Sequence, residues 1–126
     1  MKNKVLLIDD EVAIANALRR HLEDAGIDLE VVNSGAEGLE KIAQNNHKVI
    51  LLDVLMTDID GIAVLKEIRS NEEKYGNPNV IIITNNSSSD TKEKVQALGI
   101  SAFFDKGTMS AKELIEKIQE ILKDKK

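Results

Sequence analysis

Cysteine is absent from this chain of 126 residues, so neither a disulfide frame nor a thiolate metal site can form. Histidine occurs twice, as His21 in a helical segment and His47 at a helix–strand junction. Neither has a neighbouring ligand pattern, and both are expected to be solvated surface residues. Basic charge is also short: 17 Lys and Arg against 22 Asp and Glu leave a net charge of -5. That excludes a general nucleic-acid binder, since phosphate backbones demand a basic face. The most basic stretch, residues 123–126, complements the negative end of the last helical segment. No apolar run approaches the ~20 residues that cross a bilayer. Residues 1–4 lead directly into a strand-length run rather than a signal-peptide core. A soluble, cytoplasmic protein without membrane contact is the expectation. No G-x-G-x-x-G or P-loop glycine pattern follows the first strand, which weighs against a nucleotide- or flavin-binding enzyme.

What the chain does have is five short apolar runs, each ending in polar residues. Residues 5–8 run into Asp9, Asp10 and Glu11, and residues 49–52 run into Asp53. Residues 80–83 run into Thr84, and residues 102–104 are followed by Asp105 and Lys106. A further run lies at 29–32. Their near-continuous apolar character suits strands covered on both faces, as in parallel sheets.

Segments of helical period alternate with these runs. The first carries Ala15, Leu18, Leu22 and Ala25 and stops at Gly26. The second opens on Ser34 with Glu37 as a capping box and buries Leu39, Ile42 and Ala43. The third carries Ile62, Leu65 and Ile68 and ends near Gly76 and Pro78. The fourth starts at Asp90, continues through Val95 and Leu98, and stops at Gly99. The fifth has a second box, Ser110 with Glu113, then Leu114, Ile118, Ile121 and Leu122. The polar stretch 85–89, beside the expected site, reads as a plain loop or as one that responds to the site.

Strict alternation predicts a doubly wound α/β three-layer sandwich, a (βα)5 unit with a five-stranded parallel sheet. The common order 2-1-3-4-5 sets strands one and three side by side at the switch point, where open α/β folds place ligands. Asp9, Asp10 and Asp53 would converge there. Three close carboxylates repel one another unless a cation sits among them. Oxygen ligands without histidine or cysteine select a hard ion, and Mg²⁺ suits best. Helix capping explains Asp10 or Glu11 but not Asp53 on another strand. A carboxylate beside such an ion can attack phosphorus. Lys106 supplies a mobile positive charge and Thr84 a hydroxyl for the incoming oxygens.

Together these residues resemble a response-regulator receiver domain, the phospho-accepting half of two-component signalling, over the whole chain. The resemblance implies a flavodoxin-like fold and a single receiver domain over 1–126, with no output domain after the fifth helix. It implies Asp9 and Asp10 as the acidic pair, Asp53 as phosphoacceptor, Thr84 as switch hydroxyl and Lys106 as the lysine. Phe103 falls where the family keeps a rotating aromatic, and the backbone carbonyl of Leu55 would complete the Mg²⁺ shell. Leu55, Asn85 and Asn86 occupy positions that govern access and hydrolysis; an apolar Leu55 hints at slow dephosphorylation. The implied partners are a histidine kinase or phosphotransfer protein and a downstream protein target. The kinase would read helix one, with Ala13, Ile14 and Asn16 as candidates by analogy. A homodimer on phosphorylation is among the expectations, through the face of the fourth and fifth helices and fifth strand.

Departures from the family pattern are specific. Thr57 stands where receivers usually have proline, and Gly107 stands where a cis-proline usually follows the lysine. A cis bond before a non-proline residue costs ~2.5–4 kcal/mol, so the sequence leaves the Lys106–Gly107 bond open between cis and trans, and with it the shape of the loop and the reach of Lys106. Asn85 replaces a small residue after the switch threonine. These departures sustain one alternative: a receiver-fold binding module acting without phosphorylation.

Overall fold

The computed structural model describes residues 3–44, 46–56, 58–85 and 88–123. In chain order they form β1 (Asn3–Ile8), α1 (Val12–Asp24), β2 (Ile27–Val32), α2 (Gly35–Ala43), β3 (Val49–Leu52) and α3 (Gly61–Ser70). Next come α4 (Glu72–Tyr75), β4 (Asn79–Thr84), α5 (Ser89–Leu98), β5 (Ala102–Asp105) and α6 (Ala111–Lys123). The five strands pair in parallel in the order β2-β1-β3-β4-β5. This is the expected topology, and the fold is flavodoxin-like.

The alternation of side chains along each strand divides the core into two layers. Leu6, Ile8, Ile50, Leu52, Val80 and Ile82 face Ile42, Val64, Leu65, Ile68 and Val95, from α2, α3 and α5. Val5, Leu7, Val49, Leu51, Ile81 and Ile83 face Leu18, Leu22, Leu114 and Ile118, from α1 and α6. The strand residues on both faces are fully buried, and each such aliphatic side chain contributes about 1.5–3 kcal/mol of transfer free energy. Of the two predicted capping boxes, the second is made in full and the first by its serine half. Ser34 accepts from the Glu37 N–H at 3.2 Å. Ser110 accepts from the Glu113 N–H at 3.1 Å while Glu113 accepts from the Ser110 N–H at 3.4 Å.

Three details differ from the sequence reading. The third helical segment does not run on toward Gly76: it breaks at Asn71, whose φ of -135° and ψ of 61° leave the helical region. The short α4 beyond it turns Tyr75 into the core, where its hydroxyl donates to Glu67 at 3.1 Å. Asn71 donates to the same carboxylate at 3.3 Å, a side-chain bond that competes with continued helix. The fourth segment begins earlier than Asp90, because Ser88 caps α5 by accepting from the Thr91 N–H. His47 is not a solvated residue. Its side chain is 2% exposed and its Nε2 lies 2.8 Å from Glu30, which Lys41 also reaches at 2.9 Å. His21 is exposed, as expected.

Candidate functional site

Backbone ladders carry the sequence order directly into the site. The Asp9 N–H donates to the Val32 carbonyl at 3.1 Å, and the Asp53 N–H donates to the Ile8 carbonyl at 3.1 Å. Each aspartate is thus the last hydrogen-bonded residue beyond its strand, and the β1–β3 pairing sets the two side by side. Gly61 fixes the other side of Asp53. A Cβ built there would lie 2.2 Å from the Asp53 carbonyl oxygen, and the Gly61 N–H donates to Val54 at 2.7 Å. Only a residue without a side chain lets the start of α3 approach so closely.

Carboxylate oxygens of Asp9, Asp10 and Asp53 lie within 4.8 Å of one another. Asp9 and Asp53 are buried, and Asp10 is partly exposed. Lys106 comes from the far side of the sheet, positioned by its N–H donating to the Thr84 carbonyl at 2.9 Å. Its ammonium sits 2.9 Å from Asp9 Oδ2 and 3.0 Å from Asp53 Oδ2, and it also pairs with Glu11 Oε1. The Lys106 side chain is only 4% exposed. Burial opposes its charge, yet the bonds to Glu11, Asp9 and Asp53 outweigh that and hold its pKa well above the usual lysine range. Burial raises the Asp9 carboxyl, an effect only partly countered by Lys106 and the Glu11 N–H.

The donor set fits a small hard cation. It is all oxygen, three carboxylates converge, and among the described residues the one cation in contact with the buried pair Asp9 and Asp53 is Lys106. Asp53 Oδ1 accepts from the Leu55 N–H at 3.3 Å, which turns the start of the next loop toward the acidic cluster. Leu55 itself is 55% exposed, the one large apolar side chain so exposed among the described residues.

The other predicted residues take up these places. Thr84 ends β4, fully buried, and opposes Asp105 in the β4–β5 register. Asn85 is exposed just beyond it, while Asn86 and Thr57 lie outside the described residues. Phe103 and Phe104 do point to opposite faces: Phe103 packs on the α5 side, Phe104 on the α6 side. Lys92 of α5 stands over the Phe103 ring at 5.5 Å from its centroid. No described peptide bond is cis. The turn after Lys106 is instead tied by Asp105, which accepts from the Gly107 N–H at 2.7 Å and, through its carbonyl, from Thr108 and Met109.

Two relationships had no clear sequence signal. Glu11 reaching Lys106 was hidden behind the ordinary capping role of acids at helix starts. Asp58 is part of a visibly acidic loop, but its carboxylate accepts from the Gly35 and Ala36 N–H groups of α2, both at 3.0 Å.

A parallel 2-1-3-4-5 sheet with this acidic cluster and lysine at its carboxyl edge defines a class, and comparison bears that out. Residues 5–119 match the family described as response regulator receiver domain, and the chain belongs to that family. It is similar to the response regulator ArlR of Staphylococcus saprophyticus, 34% identical over 79% of this chain and 42% of the relative. It is also similar to the transcriptional regulatory protein CpxR homolog of Haemophilus influenzae, 35% identical over 96% of this chain and 51% of the relative. The chain spans about half the length, or less, of these curated relatives. The receiver domain of the Francisella response regulator 1452 superposes with a TM-score of 0.89 at 34% identity, covering 99% of this chain and 100% of that one. The chain is therefore a receiver domain of the kind found in response regulators of two-component systems. Among the described residues no helix is long and apolar enough to cross a membrane.

Proposed function

We propose that the chain is a phosphorylation switch in which Asp53 takes a phosphoryl group from a phosphohistidine or a small phosphodonor. The observation that carries this is the buried contact of Asp9, Asp53 and Lys106 at the ends of three strands. An Asp53 carboxylate oxygen attacks phosphorus; the new O–P bond forms as the donor's bond to phosphorus breaks, and that electron pair leaves on the imidazole nitrogen of a phosphohistidine or on the carboxylate oxygen of an acyl phosphate. Asp9, Asp10, Asp53 and the Leu55 carbonyl would hold Mg²⁺, which when bound neutralises the carboxylates and the phosphoryl oxygens. Lys106 and the Thr84 hydroxyl bind the remaining oxygens. Their inward movement draws the segment leading into α5, Phe103 moves with it, and the face of α5, β5 and α6 changes for a protein target. Local charge thereby biases a two-state element. The domain catalyses only its own phosphorylation and dephosphorylation, with a cytoplasmic histidine kinase or phosphotransfer protein as donor.

Intact mass after incubation with acetyl phosphate and Mg²⁺ tests this. One added phosphoryl group is expected, lost in Asp53→Ala and in EDTA. No adduct, together with no beryllofluoride binding, would reject phosphotransfer and leave a phosphorylation-independent binding module.

A further inference from the structure

Glu11 occupies the N-cap position of α1, yet its side chain makes no capping bond. The other helices with a polar N-cap beside the site behave differently: Ser34, Asp60 and Ser88 each accept from their own first turn. Glu11 instead sends its carboxylate across the cleft to the Lys106 ammonium. Its N–H donates to Asp9 Oδ1 at 2.9 Å, so the backbone that carries it is fixed to the acidic cluster. The ammonium has three hydrogens and three carboxylate neighbours, Glu11, Asp9 and Asp53. Asp9 and Asp53 belong to the buried cluster. Glu11 is 50% exposed and outside the converging set of three carboxylates.

We propose that Glu11 is a positioning residue that tethers Lys106 in the resting domain and competes for its ammonium with the oxygens of a phosphoryl group on Asp53. The proposal rests on the phosphoacceptor reading of Asp53. A phosphoryl group brings three strong acceptors to the centre that Lys106 now fills. To turn toward them, the ammonium must loosen its hold on Glu11, the only one of its three carboxylates that is solvated and free to move away. The tether therefore opposes the switched state and sets the fraction of domains that switch at a given phosphodonor level.

Two substitutions separate this contact from the general effect of a negative charge. Glu11→Gln removes charge and weakens the pair. Glu11→Asp keeps the charge but shortens the reach, and aspartate at an N-cap turns back to accept from its own helix. In the full chain with Mg²⁺, both variants are expected to bind beryllofluoride about three- to fivefold more tightly, the scale of an ion pair with one solvated partner. Without any ligand, the Lys106 ammonium should give a slowly exchanging ¹⁵N–¹H signal in the native protein, and that signal should broaden or vanish in Glu11→Asp. The melting temperature of Glu11→Asp should not fall. Equal beryllofluoride affinity in Glu11→Asp and native protein, or an unchanged Lys106 signal, would overturn the tether. Failure of the native protein to bind beryllofluoride would instead reject the phosphoacceptor reading, and the ligand-free signal would still report on Glu11.

Discussion

The Asp58 carboxylate spans two loops, accepting from Gly35 at 3.0 Å with one oxygen and from Ala36 at 3.0 Å with the other. It lies five residues beyond Asp53 and anchors the loop bearing Leu55 to the amino end of α2. These backbone donors hold the Asp58 carboxyl below its ordinary value of 3.8. A depressed folded pKa means the contribution is present above the unfolded value and is lost as pH falls through the folded one. Asp58→Asn should therefore melt below the native protein at neutral pH, with the gap closing below about pH 4. Thermal melts across that range check it; a gap independent of pH would assign the bond no ionic character. Asp58→Ala should also expose the Gly35 and Ala36 amides to hydrogen exchange.

Lys106 supplies the only cation in contact with the buried pair Asp9 and Asp53 among the described residues. Removing one partner of a buried ionic group leaves an uncompensated charge, at a cost of about 3 kcal/mol. Lys106→Ala should melt lower than the native protein in EDTA. Added Mg²⁺ should recover part of the loss, rising with concentration as any ligand specific to the folded state does. Calorimetry with and without the ion measures both effects.

Gly61 allows no Cβ, because one would sit 2.2 Å from the Asp53 carbonyl oxygen and 2.7 Å from Val54 Cα. Gly61→Ala improves helix propensity yet pushes on backbone that has nowhere to go. Loss of phosphoryl acceptance is expected, with displaced amide resonances around Asp53. A variant that accepts phosphate like the native protein would show that α3 shifts cheaply.

Arg69 ties three segments at the opposite end of the sheet. Its guanidinium donates to Gly99 at 2.8 Å and 3.2 Å, to Asn77 at 2.9 Å and to Pro78 at 3.1 Å. A lysine has no planar fork to reproduce these bonds. Arg69→Lys and Arg69→Ala should each lose about 2 kcal/mol in denaturant melts. Phosphoryl acceptance at Asp53 should persist in both, since the site lies at the other sheet edge.

Much of the fold and the site was legible in the sequence because parallel strands buried on both faces leave a plain record. Runs such as 49–52 had to be apolar throughout, and the polar residues at their carboxyl ends had to meet along one edge of the sheet. Asp9 and Asp53 were identifiable because each interrupts such a run at that end, and Lys106 because it follows Asp105 at the end of another. His47 was misjudged because burial of a polar side chain depends on a partner, and Glu30 is 17 residues distant. The break at Asn71 was missed because the apolar period of α3 gives no sign of where Tyr75 must turn inward.

The sequence by itself determined the alternation of strands and helices and the polar residues that end each strand, since apolar periodicity is a local property of the chain; the sheet order was adopted as the common one for this alternation, and the pairing of the strands bears it out. Only the tertiary structure decided which charges meet. Glu11 could have capped its own helix and Asp58 could have faced solvent; both instead bond across gaps of 95 and 23 residues. Hydrogen bonds and ion pairs are satisfied by whatever lies within about 3 Å, and distance in space is set by packing rather than by order along the chain.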